Sequence, residues 1–187
     1  MDKNLSGSAL NILITGGSGF LAGRLASYLF NVGHNISLGS RFPKNLESVE
    51  YQKFKIKETN FQDQRSIDNA CADIDVVIHA AGMNRNESSK SIKKANKQSQ
   101  FSTEKLINAS LKNKVSKFIF FSTVWVYKQP LQGIYNEESP AVNDHSYATS
   151  NRIVENYLRD INCNSRISTS VFRISNVVGH PLVKQSN

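Results

Sequence analysis

A glycine-rich turn near the start of the chain has the residue types and spacing of a phosphate-binding site. Gly16, Gly19 and Ala22 follow the pattern G-x-x-G-x-x-G/A directly after the apolar run Leu10–Thr15. Gly16 permits a sharp turn, Gly19 lets backbone N–H groups approach a phosphate, and Ala22 allows a helix to pack closely on a strand. The N-terminus of that helix carries a partial positive charge, which favours an anion. The spacing and its setting therefore predict a site for a dinucleotide pyrophosphate, the alternative being a turn that holds no ligand.

The end of the second apolar run indicates which dinucleotide would bind. An acidic residue at this place accepts the hydrogen bonds of the adenosine ribose hydroxyls in NAD sites. This chain has Ser40 and Arg41 there, and no carboxylate. A guanidinium beside a hydroxyl can donate charge-assisted hydrogen bonds to a 2′-phosphate. The residues therefore favour NADP over NAD, the alternative being that Arg41 is a solvated loop residue.

Apolar runs alternate with segments of helical length along the whole chain. The strand-like runs are Leu10–Thr15, Ile36–Gly39, Tyr51–Ile56, Asp75–Gly82, Phe118–Phe121 and Thr169–Ile174. The helical segments are Gly19–Val32, Asp63–Ala72, Ser88–Lys112 and Tyr147–Ile161. This alternation predicts an α/β fold with a doubly wound parallel sheet in the strand order 3-2-1-4-5-6. Ligands bind such a sheet at the carboxyl ends of strands one and four, where the glycine-rich turn lies.

Composition and charge bound the class of protein. With 187 residues, 39% of them hydrophobic, the chain can form one domain with a substantial core. Its formal net charge of +8 suits an anionic ligand and also permits nucleic-acid binding. The lysines are spread over several segments, and no aromatic residues interleave with them to form a base-stacking surface. We therefore expect solvated lysines and no nucleic-acid partner.

Cysteine usage and the lack of long apolar runs in the sequence indicate the compartment. Cys71 and Cys163 have no C-x-x-C spacing and no accompanying histidine cluster, so neither a disulfide nor a metal site is expected. No signal-peptide core and no run long enough to span a bilayer occurs in the sequence. These features predict a cytoplasmic protein with free thiols and no membrane association.

Five short motifs occur in a fixed order along the chain. They are Thr15–Ala22, His79–Gly82, Phe121–Tyr127, Tyr147 at the start of a helix, and Phe172–Gly179. Together they resemble the motifs of the extended short-chain dehydrogenase/reductase family, in particular its nucleotide-sugar epimerases, dehydratases and reductases. The resemblance runs from Asn11 to Pro181. It implies a Rossmann-like fold and NAD(P)-dependent hydride transfer to or from a carbon of a nucleotide sugar.

The resemblance implies which residues contact the cofactor. Besides Ser40 and Arg41, they are Gly16, Gly19, Phe20, Leu21, Asp63, Ala80, Ala81, Gly82, Tyr147 and Asn151. Asp63 stands where the family has an acidic residue that contacts adenine, and a helix N-cap is its alternative role. His79 is expected to be a packed histidine at a strand end rather than a catalytic base. Either Asn96 or Ser99 stands near a structural asparagine of the family.

The resemblance also implies a pair of catalytic hydroxyl groups. Tyr147 matches the tyrosine that moves a proton to or from the sugar hydroxyl during hydride transfer. Thr123, four residues before Tyr127, matches the serine or threonine that hydrogen-bonds the substrate oxygen. Ser122 is its neighbour, but adjacent side chains on a strand point to opposite faces. Thr123 and Asn176 are therefore expected to contact the substrate, a nucleotide sugar or a related small molecule.

One catalytic position departs from the family pattern. The family has Tyr-x-x-x-Lys, whereas this chain has Asn151 four residues after Tyr147. The spacing of four puts both residues on one helix face, so the position is retained and the ammonium group is lost. Asn151 can still hydrogen-bond the nicotinamide ribose, but it brings no positive charge, and Arg152 lies on a different face of the helix. We expect acid–base catalysis to be impaired by roughly 10²–10⁴-fold.

The length of the chain is the second departure. Family members continue beyond the last motif into a smaller domain that closes over the nucleotide sugar, whereas this sequence ends at Asn187. We expect residues 1–187 to form a single NAD(P)-binding domain with the substrate domain largely missing, either as a fragment or as a shortened relative. The alternative function is a catalytically impaired NADP-binding sensor or regulatory module. A homodimer through Ser88–Lys112 and Tyr147–Ile161 is a further expectation from the resemblance.

Overall fold

The computed structural model describes residues 8–82, 92–129, 131–180 and 182 of the chain. Its strands are β1 (Asn11–Thr15), β2 (Asn35–Ser40), β3 (Lys55–Glu58), β4 (Val76–His79), β5 (Lys117–Thr123) and β6 (Ser168–Ile174). Its α-helices are α1 (Phe20–Asn31), α2 (Gln64–Cys71), α3 (Ile92–Lys112) and α4 (Ser146–Asn164). Short 3₁₀ helices span Pro43–Leu46, Val49–Tyr51 and Val124–Val126. Within these described ranges, no helix is long and apolar enough to cross a membrane.

The six strands form one sheet in the order β3-β2-β1-β4-β5-β6. Every neighbouring pair is parallel, and Thr15 at the end of β1 lies opposite His79 at the end of β4. The predicted strand order is therefore confirmed. Since the chain runs outwards from β1 to β3 and then returns to β4, the direction of winding reverses between β1 and β4. A cleft for ligands opens at such a point, at the carboxyl ends of the strands.

The two faces of the sheet carry separate hydrophobic cores. Because side chains alternate along a strand, Leu13 of β1 points to one face and Ile12 and Ile14 point to the other. The first face is covered by α2, α3 and α4, and the second is covered by α1 and the segment before β3. Cys71 belongs to the first core and Cys163 is exposed, and both carry free thiols. This two-sided covering gives the doubly wound arrangement that the sequence predicts.

The third strand begins later than the sequence predicts. Tyr51 lies in a 3₁₀ helix rather than in a strand, and β3 starts only at Lys55. The reason is tertiary: Tyr51 and Phe54 are buried, and the Phe54 ring packs edge-on against Phe30 of α1 at 5.8 Å. Lys57 also differs from the expected solvated lysine. Its Nζ donates to the carbonyl oxygens of residues 70 and 72 at the end of α2, and burial lowers its pKa.

Candidate functional site

Two connected spaces lie at the carboxyl edge of the sheet. The outer groove, about 850 Å³ in volume, follows the ends of β1, β2, β3 and β4. It is lined by Gly16, Ser18, Gly19, Ser40, Arg41, Phe42, Asn45, Thr59, Phe61, Gln62, Ala80, Ala81, Gly82, Gln98, Ser99 and Ser102. The inner chamber, about 210 Å³, is lined by His79–Gly82, Ser99, Ser102, Thr103, Phe120, Phe121, Tyr147, Ser150 and Asn151. Because Ala80–Gly82, Ser99 and Ser102 line both spaces, the two form one continuous site.

The glycine-rich turn closes one end of the outer groove. Gly16 has a φ of +73°, and a Cβ at this position would lie 2.9 Å from the backbone nitrogen of Ala81. Only glycine allows this approach, which brings the turn against the loop after β4. Gly19 is the N-cap of α1, and no side chain caps this helix end. The first-turn N–H groups and the helix dipole can therefore act on an anion in the groove.

Phe20 and Leu21, which follow Gly19, lie outside the lining of the outer groove. Phe20 and Leu21 form the first turn of α1, are half-buried, and do not line the outer groove. The structure thus brings Gly16 and Gly19 into the groove, while the side chains of Phe20 and Leu21 lie outside its lining. For Phe20 and Leu21, the prediction that remains is a contact between their backbone N–H groups and the cofactor.

The end of β2 supplies the charge of the outer groove. Arg41 is exposed, and its guanidinium carbon lies 4.9 Å from the centre of the Phe42 ring. It is the only charged residue among the described residues that line the groove. The Ser40 hydroxyl donates to the carbonyl oxygen of Phe42 at 3.0 Å and accepts from its N–H at 3.1 Å. The Ser40 hydroxyl proton is therefore already donated to the Phe42 carbonyl oxygen. Arg41 is left as the side-chain donor to an anion in this part of the groove.

The far end of the groove lacks the predicted acidic contact. Asp63 is the N-cap of α2, and its carboxylate accepts from the Arg65 N–H at 2.9 Å. It does not line the groove, so the geometry favours its capping role over a contact with adenine. Phe61 and Gln62 line the groove instead, and sequence reasoning missed them. Their position just after the third strand is the signal that could have indicated them.

His79 connects the ends of β1 and β4. Its side chain is 1% exposed, and its Nδ1 lies 2.8 Å from the hydroxyl oxygen of Thr15. The same hydroxyl accepts from the N–H of Ala81 at 3.3 Å. Burial lowers the pKa of His79 to about 4, so the ring is neutral at pH 7. His79 is therefore placed as a packed residue that supports the loop 80–82, in line with the expectation from the sequence.

Tyr147 and Asn151 line the inner chamber, as their spacing of one helical turn predicts. Tyr147 is half-buried, whereas Asn151 is 9% exposed. The Asn151 side-chain nitrogen donates to the carbonyl oxygen of Tyr147 at 2.8 Å, and the Ser150 hydroxyl donates to the same oxygen at 3.0 Å. The Asn151 amide is thus bound within its own helix.

The inner chamber holds no positive charge among the described residues that line it. Ser102 and Thr103 donate their hydroxyl protons to the carbonyl oxygen of Ser99. Arg152, the cation next to Asn151 in sequence, donates instead to the carbonyl oxygen of Asn143 at 3.0 Å. No described lining residue therefore replaces the missing lysine. Ser99 lines both spaces, while the side chain of Asn96 lies outside the described residues.

The two proposed substrate residues lie outside the lining of both spaces. Thr123 is the last residue of β5, is 4% exposed, and accepts from the N–H of Trp125 at 3.2 Å. Helix α4 packs against β5 and against the turn 124–126, which keeps Thr123 near the helix that carries Tyr147. Asn176 follows β6 and is exposed. The structure therefore brings Tyr147 and Asn151 together and leaves Asn176 apart from them.

A buried ion pair behind the inner chamber was missed in the sequence. Glu155 is 5% exposed, and its Oε2 lies 2.7 Å from Nη2 of Arg173. The hydrogen bonds to Glu155 raise the pKa of Arg173 above its ordinary value, so the guanidinium stays charged. Glu155 lies one helical turn beyond Asn151, and Arg173 belongs to the last motif. Those two positions are the signal that could have indicated the pair.

Comparison with known proteins agrees with this fold. Residues 12–186 match the model of the NAD dependent epimerase/dehydratase family. The UDP-glucose 4-epimerase of Haemophilus influenzae is 30% identical over 182 residues, covering 90% of this chain and 53% of that protein. The human dTDP-D-glucose 4,6-dehydratase is 27% identical over 193 residues, covering 92% of this chain and 53% of that protein.

Solved structures give the same result. The UDP-glucose 4-epimerase of Bifidobacterium longum, in complex with NAD⁺ and UDP, superposes with a TM-score of 0.77 at 28% identity. The match covers 87% of this chain and 52% of that protein, so the chain spans about half the length of the relatives it matches. Because the family match extends over nearly the whole chain and the strand order agrees, the chain belongs to the NAD dependent epimerase/dehydratase family.

Proposed function

We propose that this chain binds a nicotinamide dinucleotide along the outer groove and takes part in hydride transfer with a nucleotide sugar. The observation that carries the proposal is the continuity of the outer groove with the inner chamber. The glycine-rich turn lines the outer groove, and Tyr147 lines the inner chamber. The groove fits a dinucleotide because no side chain caps the N-terminus of α1 at Gly19, and because the one charged residue of its described lining is positive. The relative from Bifidobacterium longum, which binds NAD⁺ and UDP, supports this assignment.

In this proposal Tyr147 is the acid–base group. When bound, the nicotinamide ring supplies the position that accepts and returns a hydride. The Tyr147 phenol gives a proton to the sugar oxygen or takes one from it, and the Thr123 hydroxyl hydrogen-bonds the same oxygen. The small residues Ala80–Gly82 allow the ligand to approach the backbone. Asn176 is a further candidate for the sugar contact, from the loop after β6.

The cofactor is proposed to be NADP in preference to NAD. Arg41 is the only charge on the described lining of the outer groove, and no carboxylate lies there to accept the ribose hydroxyls. A guanidinium at this place can donate charge-assisted hydrogen bonds to a 2′-phosphate, a group that NAD lacks.

Titration of the protein with NADPH and NADH tests this preference. Arg41→Ala should weaken NADPH binding by about 10- to 100-fold, because a hydrogen bond to a charged group contributes about 1.5–3 kcal/mol. NADH binding should stay within about twofold. Lys44→Ala is the matched control, since Lys44 is an exposed cation three residues later that does not line the groove. Equal affinity for the two cofactors, unchanged by Arg41→Ala, would exclude NADP selectivity.

A sensor or regulatory module is the second candidate function. It is favoured by Asn151, whose side chain is bound to the carbonyl oxygen of Tyr147 and supplies no charge to the inner chamber. Such a module binds the dinucleotide and does not need proton transfer. The intact Tyr147 and Thr123 argue against it, because a module that only binds needs neither hydroxyl group.

Asn151→Lys separates the two candidate functions. If the site is catalytic but weakened, the added ammonium should raise the rate at which UDP-glucose reduces bound cofactor by roughly 10²–10⁴-fold, measured at 340 nm on protein supplied with the substrate domain of a relative. Asn156→Lys is the control, since it adds the same charge to an exposed position of the same helix. If the chain is a module, both variants should stay at background. Fast turnover that persists in Tyr147→Phe would contradict both candidates.

Three coarser expectations complete the proposal. Residues 1–187 would act as one dinucleotide-binding domain, with the sugar contacts supplied largely from elsewhere. A homodimer would form through α3 and α4, which pack side by side on one face of the sheet. Light scattering on the purified protein would give its mass and contradict the dimer if a monomer were found. A cytosolic location, expected from the sequence, stays a prediction.

A further inference from the structure

The ion pair between Glu155 and Arg173 is built as a fork. The Arg173 Nη2 donates to Oε2 of Glu155 at 2.7 Å, and Nε donates to the two carboxylate oxygens at 3.2 and 3.3 Å. The Arg173 side chain is 18% exposed and the Glu155 side chain is 5% exposed. A planar guanidinium that contacts both carboxylate oxygens fixes orientation as well as distance. The pair therefore holds α4 and β6 in a defined relation.

The same pair reaches both ends of the turn that follows β5. At the first end, the Ser122 hydroxyl donates to Oε1 of Glu155. Ser122 is the neighbour of Thr123, the N-cap of the 3₁₀ helix Val124–Val126. The backbone that carries Thr123 is therefore tied to Glu155 through the residue directly before it.

At the second end, Arg173 Nη1 donates to the Tyr127 hydroxyl at 2.9 Å, and its guanidinium carbon lies 4.9 Å from the Tyr127 ring centre. Tyr127 is the C-cap of the same 3₁₀ helix. Its hydroxyl donates onwards to the carbonyl oxygen of Asn136 at 2.9 Å. One guanidinium thus joins the helix, the end of the turn and the loop beyond it.

Glu155 also belongs to the helix row that lines the inner chamber. Tyr147, Asn151 and Glu155 follow one another at intervals of four residues, so they share one face of α4. We propose that Glu155 and Arg173 are positioning residues, which hold the Thr123 hydroxyl at a set place relative to Tyr147. The catalytic meaning of this placement rests on the function proposed above, whereas the placement itself concerns only the turn.

The arginine fork matters more here than the charge alone. A buried ion pair often adds little to the stability of a fold compared with apolar residues of the same size. Its geometry, however, cannot be copied by a lysine, whose single ammonium cannot donate in parallel to Glu155 and also reach Tyr127. Arg173→Lys therefore retains the positive charge beside Glu155 while it removes the second link. This variant separates the positioning of the turn from the neutralisation of the buried carboxylate.

A tryptophan in the turn after β5 reports on the structure of that turn by its fluorescence. Trp125 is the only tryptophan in the sequence and lies inside the 3₁₀ helix Val124–Val126. We expect Arg173→Lys to raise the acrylamide quenching constant of Trp125 at least about twofold, with a far-UV CD spectrum like that of the unchanged protein. Tyr127→Phe, which deletes the hydroxyl and with it the hydrogen bonds to Arg173 and to the carbonyl oxygen of Asn136, should raise it as well. Lys112→Met is the control, because it breaks the exposed pair with Asp68 at a distance from the turn.

The same variants give a second readout through turnover. A displacement of the Thr123 hydroxyl by about 1 Å should lower kcat by about 100-fold while the affinity for cofactor stays unchanged. If the unchanged protein shows no turnover even when supplied with a substrate domain, the proposed hydride transfer fails, and the Trp125 measurement still decides the placement. Trp125 quenching in Arg173→Lys and Tyr127→Phe that equals the control would overturn the inference, whatever the stability of the variants. If Arg173→Lys does not fold, Tyr127→Phe alone decides.

Discussion

Acidification should destabilise this protein through a single buried histidine. Burial lowers the pKa of His79 from 6.5 to about 4 in the folded protein, while the unfolded chain keeps the ordinary value. A base with a depressed folded pKa contributes its full stability above pH 6.5 and loses it as the pH falls towards 4. The pKa values of the unfolded and folded states differ by about 2.5. Because a difference of one in pKa corresponds to about 1.4 kcal/mol, this difference corresponds to about 3 kcal/mol of unfolding free energy.

Urea unfolding at pH 7.5, 6.5, 5.5 and 4.5, followed by far-UV CD, measures this effect. His79→Leu removes the titration, so the difference between this variant and the unchanged protein isolates His79 from the carboxylates. The unfolding free energy of the unchanged protein should fall by about 2–3 kcal/mol more than that of the variant between pH 7.5 and 4.5. His180→Gln is the control, since it removes an exposed histidine that does not contact His79.

Protonation of His79 should also weaken cofactor binding. His79 contacts the Thr15 hydroxyl, which in turn accepts from the N–H of Ala81 in the loop that lines both spaces. We expect cofactor affinity to fall only as the pH approaches 4, where His79 is protonated in the folded protein, and His79→Leu to lose this pH dependence. Unfolding curves for the variant and the unchanged protein that stay parallel within about 0.5 kcal/mol would refute the reasoning, because His79 would then titrate alike in both states.

Two further substitutions separate binding from folding. Gly16→Ala should abolish measurable cofactor binding by calorimetry and cost about 1–2 kcal/mol of stability, because its Cβ would lie 2.9 Å from the Ala81 nitrogen at a φ of +73°; retained affinity would contradict the close approach. Asp63→Ala should lower the unfolding free energy by about 0.5–2 kcal/mol through loss of the α2 cap, with cofactor affinity within twofold. A large loss of affinity in Asp63→Ala would instead support an adenine contact.

Local rules explain why much of the fold could be predicted. The strand order follows from the alternation of apolar runs and helical segments, which leaves few ways to cover a parallel sheet on both faces. The glycine-rich turn is equally local, since Gly16 needs its positive φ whatever surrounds it. The spacing of Tyr147 and Asn151 is a property of any α-helix, so their common place in the inner chamber was predictable.

Other features depend on partners that are distant in sequence. The run around Tyr51 has strand-like residues, but burial of its rings against α1 places it in a 3₁₀ helix. Asp63 has the right residue type for a cofactor contact, yet it turns to the N-terminus of α2 and leaves the groove to Phe61 and Gln62. For Tyr51 the local pattern allowed a strand or a 3₁₀ helix, and packing selected the helix. For Asp63 the geometry favours the cap, and the adenine contact stays a prediction.

The sequence by itself determined the strand order, the glycine-rich turn and the helix face that carries Tyr147 and Asn151, because each depends on residues close together in the chain. Only the tertiary structure decided what lies behind that face. Arg173 meets Glu155 and Tyr127 across 18 and 46 residues of sequence. That meeting requires β5, β6 and α4 to be assembled first, since no local pattern specifies which buried carboxylate a given guanidinium will reach.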